Sequence, residues 1–179
     1  MLATILIVLA VLVVGFLAFA ASRPADFRIT RDTTISAAPA VIFPHVNDLG
    51  KWKAWSPWEN LDPTMKRTFE GPSSGVGAVY AWEGNKQVGS GRMTITECRP
   101  HESIRIKLEF FKPMSAVNVT GFAFKPEGNR TTVTWSMSGR NNFIAKAFSL
   151  FMNMDKMVGG RFEQGLNSLK AVSESSPGR

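Results

Sequence analysis

The stretch that decides the fold is Asn142–Val172, which reads NFIAKAFSLFMNMDKMVGGRFEQGLNSLKAV. Its apolar residues recur at steps of three and four, which predicts one amphipathic helix along the whole stretch. Gly159 and Gly160 each cost about 1 kcal/mol relative to alanine within a helix, so we expect a bend or a close approach to a sheet there. The apolar positions are Ile144, Phe148, Phe151, Met154, Val158, Phe162, Leu166 and Leu169.

The segments before this helix alternate apolar and polar residues, as strands with one buried face do. In Glu102–Phe111 the alternation is plainest, with isoleucine, leucine and phenylalanine facing one way and charged residues the other. Turns rich in Gly, Pro and Asn separate the segments, and they are too short for parallel crossovers. We therefore predict an antiparallel sheet whose other strands are Phe27–Ser36, Met65–Glu70, Ala78–Glu83, Ser90–Arg99, Ala116–Lys125 and Arg130–Ser138.

Two short helical pieces are predicted between the first strand and the rest of the sheet. Ser36–Pro39 reads as a helix start with proline in the first turn, and Pro44 keeps that helix short or bent. The second piece covers Leu49–Trp55. Together with the sheet and the long helix, these elements predict an α+β fold in which the sheet encloses the helix and a pocket lies between them.

The first residues form a separate, purely apolar segment. Leu2–Ala21 contains no charged side chain, and its twenty residues would make a helix of about 30 Å, the thickness of the bilayer's hydrocarbon core. We therefore predict a transmembrane anchor at residues 1–22, a folded domain at 23–172 and a polar tail at 173–179. A cleaved signal peptide is the alternative, favoured by Ala18-Phe19-Ala20 but opposed by the lack of a basic start.

Flanking charge predicts the orientation of this anchor. No basic side chain lies between Met1 and the apolar segment, whereas Arg23, Arg28 and Arg31 follow it closely. Basic residues beside a membrane span favour the cytoplasmic side. We expect a single-pass protein whose domain lies in the cytoplasm.

Three further segments have recognisable sequences. SAAPAVIF opens the first short helix, tryptophans crowd the next turns, and a glycine pair precedes a second apolar run in the last helix. They are Ser36–Phe43, Val46–Trp52 with Trp55–Trp58, and Met154–Gly160 with Phe162–Lys170. These segments resemble the polyketide cyclase/dehydrase group of the START-like (SRPBCC, Bet v 1-like) superfamily. The resemblance covers Arg28–Lys170 and implies the helix-grip fold, an antiparallel sheet wrapped around a long C-terminal helix.

The same resemblance implies a cavity for a hydrophobic small molecule or lipid. A membrane-anchored binding domain is therefore the first functional hypothesis, with a cyclase or dehydratase acting on a hydrophobic substrate as the alternative. A role in protein interaction, as in chaperone-activating relatives of the fold, is a third reading that a solid core would favour. No catalytic motif is carried over, because a fold does not specify an activity.

Aromatic residues are the candidates for lining such a cavity. The chain has thirteen Phe and five Trp against a single Tyr, which suits apolar contacts more than hydrogen-bonded recognition. The candidates on the predicted elements are Trp55, Trp58, Tyr80, Trp82, Phe110, Trp135, Phe148 and Met152. Packing in a plain core is the competing reading for all of them.

Catalytic and metal-binding groups are sparse. Glu83 and Glu97 lie in predicted strands beside apolar residues and could point inward as an acid or base. The other titratable candidates have simpler roles in caps, turns or solvated faces, and they are His45, Asp48, His101, Asp155 and Glu163. One cysteine and two distant histidines give no metal-ligand spacing, and no cofactor-binding motif is present.

The net charge of +7 favours anionic surfaces without naming a partner. A nucleic acid partner is not expected, because the chain has no dense basic run and no RNA-binding aromatic signature. Anionic lipid headgroups beside the anchor are the nearer partner, whereas a net charge that only keeps the domain soluble is the simpler explanation of the basic excess.

Overall fold

The computed structural model describes residues 1–175; residues 176–179 lie outside the described part. The helices are α1 (Leu2–Ser22), α2 (Pro39–Asn47), α3 (Phe143–Ser149) and α4 (Met154–Ser175), with a 3₁₀ helix at Leu49–Ala54. The strands are β1 (Asp26–Ile35), β2 (Lys66–Glu70), β3 (Val79–Glu83), β4 (Ser90–Arg99), β5 (Ser103–Lys112), β6 (Ala116–Glu127) and β7 (Arg130–Arg140). The predicted α+β class is confirmed.

All seven strands form one antiparallel sheet in the order β1-β7-β6-β5-β4-β3-β2. Consecutive strands from β2 to β7 are neighbours, as the short turns predict, and β1 pairs with β7 at one edge of the sheet. The concave face carries the buried residues in rows across the strands. In the central row Trp135 lies opposite Phe122, which lies opposite Ile104.

α4 packs on this concave face through one stripe, and Phe162, Leu166 and Leu169 are almost fully buried. Gly159 makes the close approach predicted at the glycine pair, since an added Cβ would overlap the guanidinium of Arg31 on β1. That guanidinium forms ion pairs with Asp155 at 2.9 Å and Glu163 at 2.6 Å. The three charges hold the first turns of α4 to the edge of the sheet.

The prediction of one continuous helix over 142–172 is wrong, because two helices occupy the stretch. Asn142 caps α3 by accepting a hydrogen bond from the backbone N–H of Ala145, and Asn153 caps α4 in the same way through Lys156. Asparagine at these caps stabilises a new helix start. The apolar residues of α3 belong to a different surface from those of α4, and α3 packs against α1.

α2 begins at Pro39 as predicted, and the 3₁₀ helix matches the second short helical piece. Trp52 and Trp55 of this region are buried, and their indole N–H groups donate to the carbonyl oxygens of Val46 and His45. The tryptophan-rich segment thereby closes the interior from the side of α2.

The predicted boundary of the polar tail is too early. Ser173 is 1% exposed and lies within α4, which continues to Ser175. The rest of the predicted tail, residues 176–179, lies outside the described residues.

α1 is long and apolar enough to cross a membrane, with a mean hydropathy of 3.0, and a signal sequence would have the same character. Its side chains are exposed apart from Ala20. Three residues connect it to β1, and the Asn141 N–H just after β7 donates to the carbonyl oxygen of Ala25 in this connection at 2.8 Å. The end of α1 and the end of β7 are therefore tied together.

Candidate functional site

The centre of the interior is filled by aromatic rings. Trp135 stacks between Phe162 of α4, with ring centroids 4.2 Å apart, and Phe122 of β6 at 4.8 Å. Trp52, Trp55 and Trp58 contact the Trp135 ring edge-on. A stacking distance of this size leaves no room for a ligand between Trp135 and α4.

At one end of the sheet's concave face, the apolar side chains are less buried than those at its centre. Along β5, Ile104 and Ile106 are buried, whereas Leu108 and Phe110 on the same face are half-buried. Phe27 on β1 and Trp82 on β3 are also half-buried. We call this region the open end, and define it by Phe27, Trp82, Met93, Leu108, Phe110 and Asn118.

The pairing register of the strands brings the residues of the open end next to one another. Leu108 lies opposite Asn118 on β6 and opposite Met93 on β4. Gly91 leaves space for Trp82, since an added Cβ would overlap the indole ring, and Trp82 meets Phe110 edge-on with centroids 5.8 Å apart. The open end is thus an apolar surface formed by the four neighbouring strands β3 to β6 together with β1.

Asn118 is the polar group of the open end. It is 9% exposed, and within residues 1–175 its side-chain amide makes no hydrogen bond to the protein, although its amide atoms keep some contact with solvent. It lies on the same face of β6 as Thr120, whose hydroxyl is already engaged by Trp135 and the Ser136 carbonyl. Because its amide makes no hydrogen bond to the protein, Asn118 is the group of the open end with which a bound polar atom could form one.

The eight residues predicted to line a cavity fall into three places. Trp82 and Phe110 are in the open end, and Tyr80 is buried beside it. The half-buried Trp58 packs edge-on against Trp135 and Phe162 of the filled centre. Trp55 and Trp135 belong to the filled centre. Phe148 and Met152 are 55% and 41% exposed on the α3 side, beside α1 and away from the sheet interior.

A buried polar network adjoins the open end at Tyr80. The Tyr80 hydroxyl donates to Glu59 Oε1 at 2.6 Å, and Arg67 Nε donates to Glu59 Oε2 at 2.7 Å. Burial and the neighbouring carboxylate raise the pKa of Tyr80, and the same carboxylate raises the pKa of Arg67. Glu59 was not among the predicted site residues, although its position directly after Trp58 and the presence of a single tyrosine were available signals.

Asp62 organises the neighbouring loop. Its carboxylate accepts hydrogen bonds from the hydroxyl and N–H of Thr64 and from the N–H of Asn85. These bonds, the one from the Thr64 hydroxyl foremost, lower the pKa of Asp62. The loop is therefore held at two places, at Glu59 by Tyr80 and Arg67 and at Asp62 by Thr64 and Asn85.

The prediction that the carboxylates of Glu83 and Glu97 point into the interior is wrong. Glu83 and Glu97 are both exposed and lie near Lys112 and Arg105 respectively, because each occupies the convex side of its strand. Asp48 caps the 3₁₀ helix through the N–H of Gly50, as its sequence context suggests. His101 adopts a positive φ in a turn and meets Phe43 edge-on.

Two surface depressions lie away from the open end, one beside His45 and Lys51 and the other beside Leu49 and Phe69. None of the eight predicted lining residues borders either of them. Within the described chain, no group of three or more His, Cys, Asp or Glu side chains could hold a metal ion.

Comparisons with known proteins agree with this architecture. A family model described as polyketide cyclase/dehydrase and lipid transport matches residues 26–174. No curated protein matches the chain.

Solved structures share the fold at low identity. A Chromobacterium violaceum protein is 16% identical, with 86% of this chain and 100% of that chain covered and a TM-score of 0.60. The Aha1 dimer from Colwellia psychrerythraea is 19% identical, with coverages of 85% and 99% and a TM-score of 0.60. The di-domain ARO/CYC protein BexL of the BE-7585A biosynthetic pathway is 17% identical, with coverages of 88% and 53% and a TM-score of 0.62.

Proposed function

Because the chain belongs to the polyketide cyclase/dehydrase and lipid transport family, we propose that it is a membrane-anchored domain that binds a lipid or similar hydrophobic molecule at its open end. The observation that carries this proposal is the amide of Asn118, which makes no hydrogen bond to the protein, among half-buried apolar side chains. An apolar surface with one polar group suits a ligand that has a hydrocarbon part and a polar part.

The position of the open end relative to α1 supports the same function. Phe27 follows the end of α1 by five residues, and β7 returns to the same edge before α3 begins. With α1 in a bilayer, the open end lies on the side of the domain nearest to that bilayer. A hydrophobic ligand would then pass from the membrane to Leu108 and Asn118 over a short path.

We propose that the domain lies on the cytoplasmic side. The connection after α1 is basic through Arg23, and Arg28 and Arg31 follow on β1. Accessibility of an engineered cysteine at Asn129 to a membrane-impermeant thiol reagent in right-side-out vesicles tests this orientation. Protection before lysis supports it, and labelling before lysis contradicts it.

The test of ligand binding uses the full chain in a bilayer. Liposomes contain a trace of phospholipid with a photoreactive diazirine in its acyl chain, and adducts are located by mass spectrometry after irradiation. We expect adducts on β4 to β6 around Met93 and Leu108, in addition to adducts on α1. Adducts on α1 and α3 alone would contradict the proposal and would favour a role in protein interaction.

A matched pair of variants shows whether binding occurs on the concave face. Leu108→Arg places a charge in the open end, whereas Phe111→Arg places it on the convex face of the same strand, where Phe111 is 51% exposed. We expect the first change to abolish adducts on β4 to β6 and the second to preserve them. The α1 adducts report equal irradiation and insertion of both variants.

The alternative function is a cyclase or dehydratase that acts on a hydrophobic substrate. The Glu59–Tyr80 pair favours it, since Tyr80 lies opposite Met93 of the open end and its hydroxyl is hydrogen-bonded to the buried carboxylate of Glu59. Tyr80→Phe removes the hydroxyl that such chemistry would use. An enzyme of this kind would lose turnover in this variant while retaining lipid adducts, whereas a binding domain would retain its whole function.

A further inference from the structure

We propose that α3 and the residues directly after it form a second membrane contact, an apolar wedge that inserts into the headgroup region of the bilayer crossed by α1. The wedge is defined as residues 143–152. The proposal rests on the anchoring of α1 proposed above, and it adds a second element to that anchoring.

The wedge is apolar and uncovered. Five of its large apolar side chains are between 41% and 76% exposed, and α3 has no buried residue. A contiguous exposed patch of this kind on a folded domain marks an interaction surface. The side chains are Phe143, Ile144, Phe148, Phe151 and Met152.

A contact with α1 sets the depth of the wedge. The Phe151 ring lies 5.9 Å from the Phe16 ring, centroid to centroid. Phe16 precedes the end of α1 at Ser22 by six residues, which is about 9 Å along the helix axis. Phe151 therefore reaches the level of α1 at which interfacial helices bury their apolar face, about 5–10 Å below the headgroup boundary.

Cationic side chains mark the boundary of the wedge on the headgroup side. Lys146 Nζ donates to the carbonyl oxygen of Ala21 at 3.0 Å, in the last turn of α1. The Arg23 guanidinium lies 6.0 Å from the centroid of the Phe19 ring. Lysine and arginine at the end of a span lie at headgroup level, with their apolar stems toward the hydrocarbon.

The bilayer is the occupant that fits both observations. The exposed rings of the wedge continue the exposed apolar surface of α1, and the cations end that surface at one level along the α1 axis. An anionic lipid would pair with Lys146 and Arg23 while its chains contact Phe148 and Phe151.

The experiment places a fluorescent label in the wedge of the full chain. Phe151→Cys in a Cys98→Ser background is labelled with NBD and reconstituted into phosphatidylcholine liposomes with one fifth phosphatidylglycerol. Asn129→Cys is the matched control, because it lies in the β6–β7 turn at the far end of β7, about 35 Å along an eleven-residue strand. Met152→Cys gives a second label position that keeps the Phe16–Phe151 contact.

We expect the NBD emission maximum of the labels at 151 and 152 to lie at a shorter wavelength than that of the label at 129. We also expect doxyl-lipid to quench these two labels at least threefold more than the label at 129. Carbonate extraction of the same liposomes measures anchoring separately. A protein that resists extraction but whose wedge labels behave like the label at 129 would overturn the wedge and leave the anchor intact. Wedge labels shielded from both lipid and aqueous quenchers would indicate cover by a second protein chain and would also overturn it.

Loss of the protein on carbonate extraction would contradict the anchor and with it the wedge. The same liposomes therefore test the anchor and the wedge separately. Extraction reports on the anchoring of α1, and quenching reports on the insertion of residues 151 and 152.

Discussion

The indole ring of Trp135 and the phenyl ring of Phe162 lie nearly parallel, with an interplanar angle of 6° and centroids 4.2 Å apart. This single contact joins the centre of the sheet to the middle of α4. Gly165, one turn further along α4, leaves room for the same indole, since an added Cβ would collide with it. The contact therefore fixes both how close α4 lies to the sheet and how it is rotated.

Trp135→Ala is expected to destabilise the domain by about 3–5 kcal/mol, because the cavity left between α4 and β6 removes most contacts of Phe162 and Phe122. Chemical unfolding of the full chain in detergent micelles measures the change. Trp135→Phe keeps an aromatic ring but loses the hydrogen bond from the indole N–H to Thr120, so we expect a smaller loss. Equal losses for the two variants would contradict the importance of stacking.

The two adjacent glycines of α4 are expected to respond differently to alanine. Gly160→Ala meets open space and should stabilise the domain by about 0.5–1 kcal/mol, the ordinary gain in helix propensity. Gly159→Ala forces the Arg31 guanidinium away from Asp155 and Glu163. In thermal unfolding, the Gly159→Ala variant should therefore have a lower melting temperature than the Gly160→Ala variant. The reverse order would contradict the close approach of Gly159 to Arg31.

Asp62→Asn is expected to remove a pH-dependent part of the stability. The pKa of Asp62 is lowered in the folded chain, so its contribution is complete above the unfolded value near 4 and is lost as pH falls further. The stability difference between wild type and variant should be large at pH 7 and shrink below about pH 4. Asp32→Asn, at an exposed carboxylate, serves as the control and should show little difference at either pH.

Tyr80→Phe is expected to cost about 1–3 kcal/mol, because Glu59 is buried and would keep Arg67 alone as its partner. Equilibrium unfolding by urea measures the loss. Phe69→Leu tests the neighbouring ring, which stacks on Tyr80 but is 53% exposed, and should cost less. A neutral Tyr80→Phe change would show that the Glu59 network contributes little to folding.

Cys98 is expected to react slowly with thiol reagents. Burial raises the pKa of its thiol, and the Sγ–H donates to Asn47 Oδ1 at 3.3 Å, so little thiolate forms near neutral pH. At pH 7.5 we expect at least tenfold slower modification by Ellman's reagent in the folded chain than in urea. Equal rates would contradict this assignment.

The strands were predictable because period-two alternation survives wherever one sheet face is buried. Ile104 and Ile106 against Arg105 and Lys107 give that pattern on β5 without knowledge of any neighbour. The antiparallel order followed from short turns. The pairing of β1 with β7 was not readable from local pattern, since it joins residues about a hundred positions apart.

The break between α3 and α4 was missed because the apolar period continues through it. Phe148 and Phe151 keep the helical spacing, yet Phe151 contacts Phe16 of α1 while Phe162 stacks on Trp135 of the sheet. Only the helix caps, such as Asn153, distinguish one helix from two.

The site was the least predictable part. Apolar character alone does not separate a ring that fills the centre, such as Trp135, from a ring at the margin, such as Phe110, because the difference lies in what covers each residue. Asn118 gave no sequence signal, since an asparagine in a strand stands out only once its burial and its lack of a hydrogen bond to the protein are seen. The buried Glu59 likewise acquires meaning only from Tyr80 and Arg67.

The three-residue connection between α1 and β1, tied by Ala25 to Asn141, spans about 10 Å at most. With α1 embedded, the domain cannot swing outward or reach an apposed membrane. Cargo exchange would then be confined to the single leaflet beneath it, and encounters would be governed by lateral diffusion in two dimensions. The proposed ligand exchange would then be limited to the membrane that holds the protein.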